Sequence, residues 1–174
     1  MHIIAELSPE YWILIFAAFA LLLKCCYPFA VLIHELGHAL LAVCLTRELV
    51  IVHIGQGMAG MTFKITHRLN LILHLQQLHL GYCQYPKLSL TKWGRITVAS
   101  AGPIASGLAI TALATILLYP GNPITEPGQW LAIVFFYANL KIFVTSAIPM
   151  VYRDHSSGKA YVSDGLDILT TMRG

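Results

Sequence analysis

Charge is what this chain has least of. Asp, Glu, Lys and Arg make up 11% of its 174 residues, where soluble domains carry roughly 25%. Eleven basic residues against eight acidic ones leave a net charge of +3, and no Lys/Arg-rich run occurs anywhere. This excludes the basic patch with which nucleic-acid-binding proteins hold phosphates, and no nucleic acid is expected as a partner. Cysteine is scarce as well. Cys25, Cys26, Cys44 and Cys83 form no C-x-x-C pair and lack zinc-site spacing. They read as small apolar side chains in or near lipid. Met1 to Glu10 has no basic n-region, so the first apolar stretch is expected to be retained rather than cleaved as a signal peptide. Hydropathy shows no inverted repeat of the kind found in many transporters.

What the chain has in excess is apolar residues, 57% of the total. That composition predicts a mostly α, polytopic integral membrane protein within the size of one domain. Tyr11 to Leu23 is continuously apolar and sits at the short edge of the ~17–25 residues needed to span. Lys24-Cys25-Cys26-Tyr27-Pro28 interrupts it. Pro28 disfavours helix at Tyr27, so residues 8–46 are either one kinked helix or two helices. Residues 29–46 carry a second apolar run, closed by Arg47-Glu48. Residues 49–90 change texture: apolar and polar residues alternate, punctuated by Gly55, Gly57 and Gly60, which predicts short strands and hairpins. His53, His67, His74 and His79 fall there without mutual ligand spacing and read as half-exposed strand residues. Residues 97–119 are uncharged and long enough to span. A loop from Pro120 to Gly128 follows, and residues 129–151 form another span broken by one charge, Lys141.

Inside the second apolar run lies His34-Glu35-Leu36-Gly37-His38. Histidines four apart on a helix share one face, one turn apart, so two imidazole nitrogens can reach one zinc ion. Glu35 is placed to take a proton from an attacking water. A solvated helix face would explain the same residues without metal. Its neighbours, Ala30 to Ile33 and Ala39 to Val43, leave no solvated face, and three ionisable groups in such a run are costly unless paired or metal-bound.

Two further features have two readings each. Gly102 and Ser106 are four apart within 97–119, a small-xxx-small pattern that lets another backbone approach. The pattern reflects either simple helix packing or a functional neighbour, the motif helix or the substrate. Lys141 is either a functional intramembrane charge, with Glu35, Asp164 or Asp167 as partner, or a side chain that snorkels to an interface. Asp164 on its own looks like a cap for a short helix.

Basic residues set the expected topology. Arg47, Lys64, Arg68, Lys87, Lys92 and Arg95 fall between the second and third apolar runs, Arg153, Lys159 and Arg173 follow the last, and the proline loop has none. The strand region and the C-terminus are therefore expected to be cytoplasmic. His34 would lie about 20 Å from the Arg47 end of its helix, well inside the hydrocarbon.

Taken together, the apolar H-E-x-x-H helix, the strand-rich segment, Gly102-Pro103-x-x-Ser106 and the Ser163-Asp164-Gly165 segment beyond Pro149 resemble the site-2 protease family of intramembrane zinc metallopeptidases. The likeness covers residues 29 to about 170. It implies a core of three to four transmembrane helices with a small membrane-associated β-sheet beside the active site, all within one membrane-embedded domain over residues 1–174. It implies one zinc ion held by His34, His38 and Asp164 (the last within an Asp-Gly segment over 163–173), with Glu35 as catalytic base. Gly102, Ser106, Lys141 and Ser146 become substrate-cleft candidates. Ser146 stands where many members carry asparagine, and fourteen residues separate Pro149 from Asp164, longer than the common spacing. No room is left for a PDZ or CBS domain. The implied activity is hydrolysis of transmembrane protein or peptide substrates in the bilayer, as in regulated intramembrane proteolysis, by a multi-pass protein of a bacterial cell membrane with room for a regulatory membrane partner. The alternative is a non-proteolytic zinc-binding membrane protein that acts as a partner-binding subunit.

Overall fold

One helix, α1 (Pro9–Leu45), resolves the choice that Pro28 left open: the proline sits inside it and does not end it. The computed structural model describes residues 8–57, 59–119, 124–153 and 160–174. Residues 1–7, Pro120 to Pro123 of the proline loop and the polar segment Asp154 to Lys159 lie outside them. At 1.5 Å per residue α1 is about 55 Å long, well beyond a ~30 Å hydrocarbon layer. Its two halves differ. Tyr11, Ile13, Leu14, Phe16 and Leu21 are all exposed, a lipid-facing surface, whereas Ala30, Val31, His34, Glu35, His38, Ala39 and Ala42 are buried.

What buries that second half is α2 (Lys92–Leu118) and α3 (Glu126–Ala147), which pack against α1 and each other. Helix α2 begins at Thr91, whose hydroxyl accepts the Gly94 N–H at 3.1 Å. Beyond Ile96, its buried face is made of small residues, Val98, Ala99, Ala101, Gly102 and Ser106, so the backbones of α1 and α2 come close. Helix α3 stops at Ala147, four residues short of the Val151 expected for that span. Pro149 disfavours helix at Ile148 and cannot supply the next N–H. The chain then forms an antiparallel pair, β5 (Val151–Arg153) and β6 (Ala160–Val162), before the short α4 (Asp164–Arg173). All three long helices are apolar enough to cross a membrane.

The strand-rich segment forms β1 (Val50–Gln56), β2 (Met61–Thr66), β3 (Leu69–Leu73) and β4 (Gln76–Gln84), in the order β2-β3-β1-β4. Only β2–β3 is a simple hairpin. Strand β1 inserts between β3, to which it runs parallel, and β4, to which it runs antiparallel. Alternation in the sequence locates strands but does not encode this pairing. Strand β1 carries most of the sheet's core residues, Val50, Val52 and Ile54, whereas β2 is exposed throughout. His53 is also buried, at 9% exposure, and so is not the half-exposed residue expected. It stacks on Tyr82 with ring centroids 4.3 Å apart. Strands β1 and β4 pack on α1, which sets the sheet beside the motif helix.

Candidate metal centre and active-site cavity

His34 and His38 point from α1 toward α2, and Asp164 meets them from the first turn of α4. His34 Nε2 lies 3.0 Å from Asp164 Oδ2, His38 Nε2 lies 3.3 Å from Asp164 Oδ1, and the two Nε2 atoms are 3.3 Å apart. Among the described residues this is the one group of three or more His, Cys, Asp or Glu side chains whose ligand atoms converge so closely.

Contacts on the far side of each ring explain why Nε2 is the free atom. His38 Nδ1 donates to the Val98 carbonyl at 2.7 Å. A carbonyl only accepts, so in the neutral ring Nε2 carries the lone pair. His34 Nδ1 sits 3.1 Å from the hydroxyl of Ser106, which is fully buried. With the Ser106 hydroxyl accepting from His34 Nδ1, two imidazole lone pairs and a carboxylate face one another in a buried space, which is unfavourable without a cation between them. A tetrahedral zinc with bonds of ~2.0–2.1 Å requires ligand atoms about 3.3 Å apart. The donor set and its spacing fit zinc.

Gly102 belongs to the same construction. A Cβ there would overlap His38 Nε2 and come within 2.7 Å of His34 Nε2. Of the two readings of the Gly102/Ser106 pattern, the motif helix is the neighbour packed against it.

Asp164 is not the cap of α4. Ser163 is: its Oγ accepts the Leu166 N–H at 3.2 Å and donates to the Ile148 carbonyl at 2.8 Å. The end of α3 is thereby tied to the start of α4, and the Asp164 carboxylate is left free to reach the histidines. Burial raises its pKa, but the two imidazoles beside it, in their protonated form, outweigh this and hold it at about 2. Asp164 is ionised at neutral pH.

These groups open into a cavity of about 490 Å³ that Glu35, Lys141 and Ser146 also line. Strand β4 forms one wall. At Gly81 a Cβ would come within 2.9 Å of Glu35 Cγ, so only glycine lets the strand lie against the motif helix there. Sequence reasoning missed Gly81; a lone glycine within Leu78-His79-Leu80-Gly81-Tyr82 is the available signal, since glycine inside a strand often marks close backbone approach. Lys141 is not paired with Glu35, Asp164 or Asp167, the partners expected for it. Asp167 pairs with Lys87 at 2.7 Å, and the Lys141 ammonium lies 4.9 Å from the centroid of the Tyr27 ring. Ser146 lines the cavity with its hydroxyl bonded to the Phe143 carbonyl at 3.2 Å.

No curated protein matches the chain. The sequence model of peptidase family M50 matches residues 19–167, most of the chain and both ends of the ligand cluster. With three apolar helices long enough to span, the protein is an integral membrane protein. It belongs to peptidase family M50, the site-2 protease family of zinc-dependent membrane metallopeptidases.

Proposed function

We propose that the protein is an intramembrane endopeptidase of the site-2 type that cuts transmembrane protein or peptide substrates, and that its elements act as a single membrane-embedded catalytic domain. The observation that carries this reading is the convergence of His34 Nε2, His38 Nε2 and the Asp164 carboxylate at 3.0–3.3 Å, on a cavity that Glu35 also lines. His34, His38 and Asp164 hold one zinc ion. When bound there, zinc lowers the pKa of a water toward ~7 and polarises a scissile carbonyl. Glu35 accepts the proton of the attacking water and later delivers it to the leaving nitrogen. The Val98 carbonyl keeps the His38 imidazole in the tautomer that offers Nε2, and the Ser106 hydroxyl supports the same tautomer in His34 by accepting from Nδ1.

A peptide bond inside a helix is shielded by its own hydrogen bonds, so a substrate has to unwind locally before attack. The sheet has two edges, β2 and β4, and β4 is the one that lines the cavity. Its open edge, reaching past Leu80 to Gln84, receives the extended substrate by strand addition. By the distribution of Lys and Arg, the sheet and the C-terminus face the cytoplasm.

The test is zinc content and cleavage of a model single-span substrate in detergent, for wild type and Glu35→Gln. Zinc retained in both, with turnover lower by about 10²–10⁴-fold in the variant, is the expected result. Stoichiometric zinc with no cleavage of several substrates by wild type would overturn it in favour of the non-proteolytic, partner-binding reading.

A further inference from the structure

We infer that Lys141 recognises a carboxylate on the substrate, about three or four residues from the bond that is cut; the inference rests on the peptidase reading above. Lys141 is the one charge between Gln129 and Ala147, in a helix apolar enough to span the membrane. An ammonium at such a position is costly unless it faces water or a counter-charge. Lys141 is exposed and lines the same cavity as Glu35 and Asp164. The cavity's other cation, Lys87, is already bound to Asp167 at 2.7 Å, whereas among the described residues no carboxylate lies within 4 Å of Lys141. Its ammonium rests over the Tyr27 ring, 4.9 Å from the centroid, which holds a cation in place without neutralising it.

Geometry sets the register. Tyr27 and Glu35 both face the cavity, and they are eight residues apart on α1, about 12 Å along the axis. An extended peptide rises about 3.3 Å per residue, so a carboxylate held at Lys141 is about three or four residues from the bond beside Glu35. The carboxylate comes either from an Asp or Glu side chain or from the C-terminus of the substrate chain. Lys141 acts here as a specificity-determining residue and takes no part in bond breaking.

The experiment uses the full chain, zinc-loaded, in detergent, with synthetic apolar peptides of equal length. One set carries a single Asp at successive positions with an amidated C-terminus. A second set replaces Asp by Asn. A third has no acid and ends either in a free carboxylate or in an amide. Cleavage sites and kcat/KM are read by mass spectrometry, and affinity is read on Glu35→Gln with labelled peptides. Wild type is expected to cut about three or four residues from the Asp with kcat/KM about tenfold above the Asn peptides. If the chain terminus is the source, the same preference appears only in the free-acid peptides. Lys141→Met erases the preference, Lys141→Arg keeps it, and Lys141→Glu shifts it toward peptides bearing Lys. Zinc content stays at the wild-type level in all three, which separates lost recognition from misfolding. Cleavage by wild type without any acid preference, or the same preference in Lys141→Met and Lys141→Glu, would overturn this inference alone. No cleavage of any peptide by zinc-loaded wild type would overturn the peptidase reading together with it.

Discussion

Two pairs of histidines in this protein have the same nitrogen–nitrogen separation and different chemistry. On α1, His34 Nε2 and His38 Nε2 are 3.3 Å apart with rings at 84°. In the sheet, His53 Nδ1 and His74 Nε2 are also 3.3 Å apart, with rings within 10° of parallel and centroids 5.6 Å apart. An imidazole nitrogen lies ~1.2 Å from its ring centre, so 5.6 Å places both sheet nitrogens on the line between the rings, the geometry of a direct hydrogen bond. His74 Nδ1 faces the Ala59 carbonyl at 3.3 Å and must donate to it. Neutral His74 therefore accepts at Nε2, and His53 donates from Nδ1. The two sheet rings satisfy each other at the atoms that meet, although the buried His53 Nε2 makes no hydrogen bond among the described residues. On α1 both Nδ1 atoms are engaged elsewhere and both Nε2 atoms meet a carboxylate. Proximity of two histidines says little; which nitrogen is left with a lone pair, and what third group it faces, separates a candidate metal centre from a core hydrogen bond.

The largest test of that contrast removes the third group. Asp164→Ala turns the α1 pair into one without a carboxylate, and zinc binding and cleavage are both expected to fall to background. Gly102→Ala should do the same by placing a methyl group on His38 Nε2. Zinc measured by atomic absorption after dialysis reads both. Full zinc occupancy in Asp164→Ala would mean that the two histidines suffice, and the distinction between the pairs would fail.

How far the sequence carries a reader follows from the same residues. His34, Glu35 and His38 were legible because three ionisable groups in an apolar run have few stable explanations. Asp164 was not legible by itself, because its partners are 126 to 130 positions away and only the fold brings them together; family likeness was needed to single it out. Asp164 looks like a helix cap in the sequence, and the structure gives that work to Ser163. The three spans and the strand-rich segment could be read from hydropathy and alternation. Their ends could not always be read: α1 absorbs Pro28, while Pro149 cuts α3 short, because tertiary packing decides whether a proline is tolerated inside a helix. The β2-β3-β1-β4 order was out of reach, since alternation is the same whichever strand is the neighbour.

A smaller effect is expected one shell further out. Ser106→Ala leaves His34, His38 and Asp164 in place and removes the partner of His34 Nδ1. Loss of such an outer contact typically lowers metal affinity 10–100-fold, so zinc should still bind at saturation but exchange to a chelator faster than from wild type. Ser106→Thr, which keeps a hydroxyl, should recover part of the affinity if the hydrogen bond matters and none of it if the site only needs a small side chain. An affinity unchanged in Ser106→Ala would show that the tautomer of His34 is set by the metal and not by the helix beside it.

The smallest effect belongs to the sheet pair, and it should appear as a pH dependence and not as a change in zinc. Burial lowers the pKa of His53 below its ordinary 6.5, the nearby His74 lowers it further, and Gln84 pulls weakly the other way. The folded chain thus holds His53 neutral where the unfolded chain would take up a proton. The unfolded state binds more protons below about pH 6.5, so the stability this residue contributes is present above that pH and is lost as pH falls through and below it. His53→Phe keeps the ring against Tyr82 and removes the titration. Zinc content should be unchanged, and the melting temperature at pH 8 should stay within about 3 °C of wild type, the shift that ~1 kcal/mol makes in a chain of this size. Between pH 7 and 5 wild type should lose stability faster than His53→Phe. Acid also strips the metal site, but it does so in both proteins, so the difference between the two melting curves isolates the sheet. Parallel curves would mean that His53 titrates alike in the folded and unfolded chains. A zinc loss specific to His53→Phe would mean that the two histidine pairs are coupled through Tyr82 and the cavity wall, and are not the independent structures their geometry describes.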